Sequence, residues 1–187
     1  RSSLRAIHAA ADGVQEGVVA LCDIGAASSN VVIVSNGSCE LNRQISFGTR
    51  NFTHMLSEHF GWSVNDAERV RDEAGLMAPG GMESPGDPYA DSRQVLQFIA
   101  DQMAGELRTS FDYYLHSSDV NQPVSKLVIA GEGASMRGLG QRLAAELGVP
   151  VEIIDLSPYL DAKSLEAIGS NHAMYGTAFG LALEEAA

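Results

Sequence analysis

Basic residues are scarce in this chain. Lys and Arg number 12 against 24 Asp and Glu, for a formal net charge of -12. A surface of that sign repels a phosphate backbone, which counts against a nucleic-acid partner. No cluster of Lys and Arg is present, which also counts against docking on an anionic membrane surface. Long apolar runs are missing too. None approaches the roughly 20 residues a bilayer span requires, and the first residues carry no apolar signal-peptide core. Cysteine is limited to Cys22 and Cys39, without C-x-x-C spacing. Two such thiols make neither a disulfide framework nor a metal-ligand set, and they read as reduced core thiols of a cytosolic protein. No Gly-x-Ser-x-Gly elbow and no Cys–His pairing points to a hydrolase. His54 and His59 are five residues apart, not the i, i+4 of a helical zinc pair.

What the chain does have is apolar content, 45% of 187 residues, enough for one sizeable core or one domain carrying an insertion. Residues 1–16 read as the tail of a helix and a loop, with Leu4, Ile7 and His8 on one face. This start leads to the expectation that the chain is the later part of something longer. From Gly17 the pattern is β. "VVALCDIG" is a continuous apolar run, as in a central strand covered on both faces. "NVVIVSNGSCELNRQISFG" reads as two strands joined at Asn36-Gly37, a strong hairpin signal. "NFTHMLSEHFG" then switches to helical period, with Phe52, Met55, Leu56, His59 and Phe60 on one face and Gly61 as C-terminal cap.

Residues 62–123 carry no strand candidate. Ser63 is placed to cap a helix over "VNDAERVRDEA" that ends before Gly75. "MAPGGMESPGDP" reads as a mobile loop, and Asp91 with Gln94 resembles a capping box. A long helix follows, with Ile99, Met103, Leu107, Phe111 and Leu115 recurring every fourth residue. The α/β pattern resumes with the strand and glycine loop of "SKLVIAGEGASMRGL". The helix "LGQRLAAELG", the strand "VPVEIID" and a last helix "HAMYGTAFGLALEEA" complete it. The order βββα, insertion, βαβα (βββαβαβα without the insert) is that of a three-layer α/β domain. Its core is expected over 17–61 and 124–187, with 62–123 as an inserted helical subdomain and 1–16 as the tail of a preceding domain or a linker.

Two loops could carry chemistry. Asp23 ends an apolar strand, where a carboxylate must be paired or face a cleft. The residues after it, Gly25, Ala26, Ala27, Ser28 and Ser29, have almost no side-chain bulk. A tight hairpin of that kind can turn successive N–H groups toward an anion. Ser28 and Ser29 add hydroxyl donors, and Asp23 could hold the water shell of a magnesium ion. It is no Walker loop, because Gly-Lys-Ser/Thr is absent and a strand follows. On this loop alone, an acid-capped β-turn and a phosphate cradle remain open alternatives. The second loop, Gly131, Glu132, Gly133 and Ala134, departs from a dinucleotide fingerprint, since Met136 stands at the third glycine position. Asp155 lies at a plausible distance for ribose recognition, but too little chain follows to complete a dinucleotide domain. A strand-to-helix glycine loop still exposes N–H groups suited to a nucleotide. Glu68 and Arg71, at i, i+3, are read either as a surface ion pair or as ligand contacts.

In this order the elements resemble the second domain of the actin-like ATPases, the superfamily of actin, Hsp70, sugar kinases and FtsA. Within it the likeness is greatest to the PilM family of type IV pilus assembly. It covers residues 17–185: "DIGAASSNVVIVSNG" is similar to the second phosphate hairpin and "LVIAGEGASMRGLGQRLAAELGVPVEIID" to the adenosine loop. "YGTAFGLAL" is similar to the closing helix. The resemblance implies a ribonuclease-H-like core with a mixed five-stranded sheet ordered 3-2-1-4-5, the helical insert lying between the first helix and the fourth strand. It further implies ATP or ADP with magnesium: Asp23 on a magnesium-bound water, Gly25 to Ser29 on the phosphates, Glu68 and Arg71 on ribose and adenine, and Gly131 to Ala134 beneath the adenosine. The first phosphate hairpin is missing, so the expectation is half a nucleotide site without hydrolysis by itself, and a full-length protein that is at most a weak ATPase. Glu132, Arg71 and Gly48-Thr49 stand where the family usually has glycine, lysine and Gly-Gly. The implied partners are the absent N-terminal actin-like domain and a short PilN-like peptide of an inner-membrane protein, without nucleic acid or direct membrane insertion. The implied location is cytoplasmic, at the inner face of the membrane through partners. A sugar-kinase-like phosphotransferase and an FtsA-like division scaffold are the alternatives within the same superfamily.

Overall fold

The computed structural model describes residues 17–82, 84–118, 122–157 and 173–174. A five-stranded sheet runs in the order β3-β2-β1-β4-β5. Its strands are β1 (Val18–Ile24), β2 (Ser29–Ser35), β3 (Ser38–Ile45), β4 (Val124–Ala130) and β5 (Val151–Ile153). β1 to β3 form an antiparallel meander, whereas β4 pairs parallel to β1 and β5 parallel to β4. The sheet is therefore mixed, in the expected 3-2-1-4-5 order. β1 lies at its centre, and six of its seven residues are buried, which is why its sequence is an unbroken apolar run. Asn36 and Gly37, at φ 48° and 77°, make the tight turn between β2 and β3. Both values suit the left-handed turn that matches strand twist.

The helices are α1 (Thr49–Phe60), α2 (Val64–Ala74), α3 (Ala90–Ser117) and α4 (Leu139–Leu147). Gly61 closes α1 in the left-handed conformation, and Ser63 caps α2 by accepting from the Asp66 N–H. Phe52 and Leu56 of α1, Leu96, Ile99, Met103 and Leu107 of α3, and Leu139 and Leu143 of α4 join the sheet in one apolar core. Each contributes about 2 kcal/mol by leaving water.

Several expectations are corrected. His59 is exposed, and Thr49 and Thr53 take its place on the buried face of α1. On α3 the stripe of every fourth residue holds only as far as Leu107. A step of four residues overshoots a helical turn by about 40°, so Ser110 and Tyr114 become the buried positions and Phe111 and Leu115 are only partly covered. No capping box forms at Asp91, because α3 starts at Ala90 without a side-chain cap. The entry is ordered instead by Asp87, whose carboxylate accepts from the Tyr89 N–H and pairs with Arg93. The Arg93 hydrogen bond holds that carboxyl below its usual range. β5 spans three residues rather than seven, and Asp155 beyond it accepts from the Ser157 N–H. The expected tail at 1–16 and the closing helix lie outside the described residues, apart from Ala173 and Met174.

The two cysteines separate. Cys22 is fully buried in the central strand, but Cys39 is exposed on edge strand β3, where one face is uncovered. Burial and the adjacent Asp23 charge push the Cys22 thiol far above its ordinary value. At neutral pH it stays protonated and shielded, so a thiol reagent is expected to modify Cys39 alone until denaturant is added. Equal labelling rates at both sites in the native protein would show that the central strand is not sealed.

Candidate functional site

The tip between β1 and β2 is closed by the Gly25 N–H, which donates to the Ser28 carbonyl at 3.1 Å. The carbonyls of Gly25 and Ala26 face α1 and accept from the N–H groups of Thr49 at 3.0 Å and Arg50 at 2.9 Å. Two of the four N–H groups that a helix start leaves without intrahelical partners are met in this way. Because peptide groups are planar and trans, carbonyls aimed at α1 turn the following N–H groups, those of Ala26 and Ala27, away from it. Among the described residues no backbone acceptor takes the N–H of Ala26, Ala27 or Ser28. Three consecutive donors at an accessible tip suit an anion. The close approach depends on Gly48, where a Cβ would lie 2.4 Å from the Gly25 oxygen and 2.5 Å from the Ala26 oxygen.

The two serines of this loop differ. Ser29 is buried, and its hydroxyl donates to the Phe47 carbonyl at 2.6 Å. It therefore locks the hairpin to the β3–α1 connection rather than offering a hydroxyl to a ligand. Ser28 is half-buried, accepts from Gln44 Nε2 at 3.0 Å, and keeps its own hydrogen to donate.

The second loop converges on the first because β1 and β4 are parallel neighbours, with Asp23 opposite Ala130. Gly131 follows at once, at φ 80° and ψ -170°. A Cβ there would lie 2.3 Å from Asp23 Oδ1 and 2.6 Å from the Ile24 carbonyl, so the Asp23 carboxylate rests directly against this glycine. The Gly131 N–H is already committed, donating to the Ala173 carbonyl at 2.9 Å. A 3-10 turn over Glu132–Ser135 follows in place of the expected helix start. α4 begins only at Leu139, after Gly138 packs on the Leu76 carbonyl. Gly133 abuts Ile24 and Ala134 is buried, so both serve the fit of this turn on β1.

Beyond the 3-10 turn, an open cleft of about 530 Å³ is lined by Arg71, Asp72, Glu132, Ser135, Met136, Arg137 and Met174. Arg71 is buried at 8% exposure, and its Nη1 donates to Thr53 Oγ1 at 3.0 Å and its Nε to Asp72 Oδ1 at 2.9 Å. Glu68, one turn earlier on α2, is exposed and does not line this cleft. Asp72, Met136, Arg137 and Thr53 were not among the sequence candidates. Thr53 and Arg71 are 18 residues apart, and no local spacing rule links them.

The donor set fits a phosphate accompanied by magnesium. Three backbone N–H groups and the Ser28 hydroxyl suit phosphate oxygens, and a single hard carboxylate, Asp23, suits an ion that keeps most of its waters. Among the described residues no group of three or more His, Cys, Asp or Glu is placed to hold a metal ion. Nor, among them, is any helix long and apolar enough to cross a membrane.

Comparison with known proteins gives this geometry a lineage. A family model described as type IV pilus assembly protein PilM matches residues 1–186. A solved PilM–PilN type IV pilus biogenesis complex is similar with a TM-score of 0.74 at 20% identity, over 98% of this chain and 50% of that one. MreB5 of Spiroplasma citri bound to AMPPNP follows at 0.69 and 14%, over 100% and 58%. The ethanolamine utilization protein EutJ from Carboxydothermus hydrogenoformans gives 0.63 and 16%, over 97% and 53%. The chain thus spans about half the length of the solved structures it resembles. At these identities the likenesses establish the fold, which is actin-like and ribonuclease-H-like, and the family match over nearly the whole chain makes it a member of the PilM family of type IV pilus assembly proteins.

Proposed function

We propose that this chain is the nucleotide-binding half of an actin-like scaffold in type IV pilus assembly. In this reading the Ala26, Ala27 and Ser28 N–H groups take phosphate oxygens and Asp23 holds a magnesium-bound water. The adenosine occupies the cleft beside Arg71 and Glu132, and residues 62–123 act as the inserted subdomain that supplies Arg71. The observation that carries the reading is the meeting of two loops about 100 residues apart in sequence, with Asp23 against Gly131 and three unclaimed N–H groups at the neighbouring tip. A half-site lacks an opposing clamp to stabilise charge on a transferring phosphoryl group, so turnover requires the partner half. A cytoplasmic scaffold docked to a PilN-like peptide of an inner-membrane protein accords with the family, the peptide contact falling on the other half.

Isothermal titration of the full-length protein with Mg-ATP tests the site. Asp23→Ala is expected to weaken binding about tenfold or more, because it removes the hard oxygen that orients the hydrated ion. Unchanged affinity would remove Asp23 from the site.

A further inference from the structure

Every nitrogen of the Arg71 guanidinium faces a protein group. Nε donates to Asp72 and Nη1 to Thr53 at hydrogen-bond distance, whereas Nη2 lies 3.7 Å from Glu132 Oε1. The third contact is an ion pair too long to be a good hydrogen bond. It also differs in origin. Thr53 belongs to α1 and Asp72 to α2, but Glu132 comes from the 3-10 turn after β4, so this pair bridges two walls of the cleft. The Arg71 side chain is 9% exposed and that of Glu132 36%. The cation is fixed, and its carboxylate partner on the cleft wall is the looser member.

We propose that Glu132 is an electrostatic gate: closed on the Nη2 edge of Arg71, it sets a negative charge against an incoming nucleotide, whose affinity depends on its release. This rests on the nucleotide reading above. A polyanion entering here meets Asp72 and Glu132 beside Arg71 and Arg137 on the cleft wall, and Asp23 at the neighbouring strand end. A bound magnesium ion would neutralise Asp23, the Arg71 Nε hydrogen bond offsets Asp72, and Arg137 is turned onto the Glu73 carbonyl, which leaves Glu132 as the repulsive charge without a tight partner. Glutamine keeps the side-chain size while deleting the charge, so Glu132→Gln is expected to tighten binding rather than weaken it. For partly exposed charges the gain is roughly three- to tenfold at low salt.

The test is titration of the full-length protein, as wild type, Glu132→Gln and Asp23→Ala, with Mg-ATP, Mg-ADP and adenosine at two ionic strengths. Thermal melts without ligand check that each variant is folded. The gate predicts a gain in Glu132→Gln that is largest for Mg-ATP, smaller for Mg-ADP, near zero for adenosine, and reduced by salt. Binding by Glu132→Gln where wild type shows none supports the gate as well. A gain equal for adenosine and Mg-ATP, or affinity unchanged or weaker in Glu132→Gln while Asp23→Ala still weakens binding, overturns the gate and leaves the nucleotide site standing. No binding by wild type and Glu132→Gln alike overturns both.

Discussion

Gly131→Ala is expected to destabilise the protein by about 3–5 kcal/mol, a large share of the 5–15 kcal/mol that holds a typical domain together. Two effects add. The backbone at φ 80° and ψ -170° lies in a region essentially reserved for glycine, costing about 1–3 kcal/mol for any other residue. The new methyl would also press on Asp23 Oδ1 and on the Ile24 carbonyl, and the latter is strand backbone that cannot move without breaking the sheet. Gly148→Ala is the control. Gly148 also has a positive φ, 72°, but no atom lies within 4 Å of its Cβ position, so only the conformational cost of about 1 kcal/mol applies. Denaturant midpoints of the two variants measure the difference. Equal losses would mean that the contact between strand ends is not what requires glycine at 131.

Gly48→Ala isolates the steric effect. Gly48 is extended, at φ -158°, so alanine brings no backbone strain. Every atom its Cβ would meet within 2.7 Å is backbone of Gly25 or Ala26. Relief requires the hairpin tip and α1 to separate by about an ångström, stretching the bonds from Thr49 to Gly25 and from Arg50 to Ala26. Overpacking and two weakened hydrogen bonds together cost about 2–4 kcal/mol. Hydrogen exchange should show lost protection at the Thr49 and Arg50 amides. A denaturant midpoint within about 0.5 kcal/mol of wild type, with both amides still protected, would refute the tight seating of this hairpin.

Much of the fold was legible because its signals are local. Asn36-Gly37 marks the β2–β3 turn, Gly61 the end of α1, and Ser63 and Gly75 the bounds of α2, each through the backbone conformation or cap its own residue type allows. The failures are also local signals, outvoted by neighbours. Asp91 and Gln94 have capping-box spacing, yet Asp87 orders the helix entry from a turn earlier. Cys39 looks like a core thiol until the strand carrying it proves to be an edge. Of the candidate site, the Asp23 hairpin and the Gly131 loop could be picked out by their small residues. The roles within them could not. Ser29 and Ser28 are adjacent and chemically identical, and only alternation across the strand sends the first hydroxyl inward to Phe47 and leaves the second outside.

The amino-acid order by itself determined the strand and helix sequence, the acidic surface, and which two loops lack bulk, since each depends on periodicity or on residues a few positions apart. Only the tertiary structure decided that Arg71 is held by Thr53 and faces Glu132 across a cleft, and that Gly48 and Gly131 carry the close contacts. Those relations join residues 18 to more than 100 positions apart, and packing brings each together: α1 on α2 for Thr53 and Arg71, the β1–β2 tip on the start of α1 for Gly48, and parallel pairing of β1 with β4 for Asp23 and the Gly131 loop.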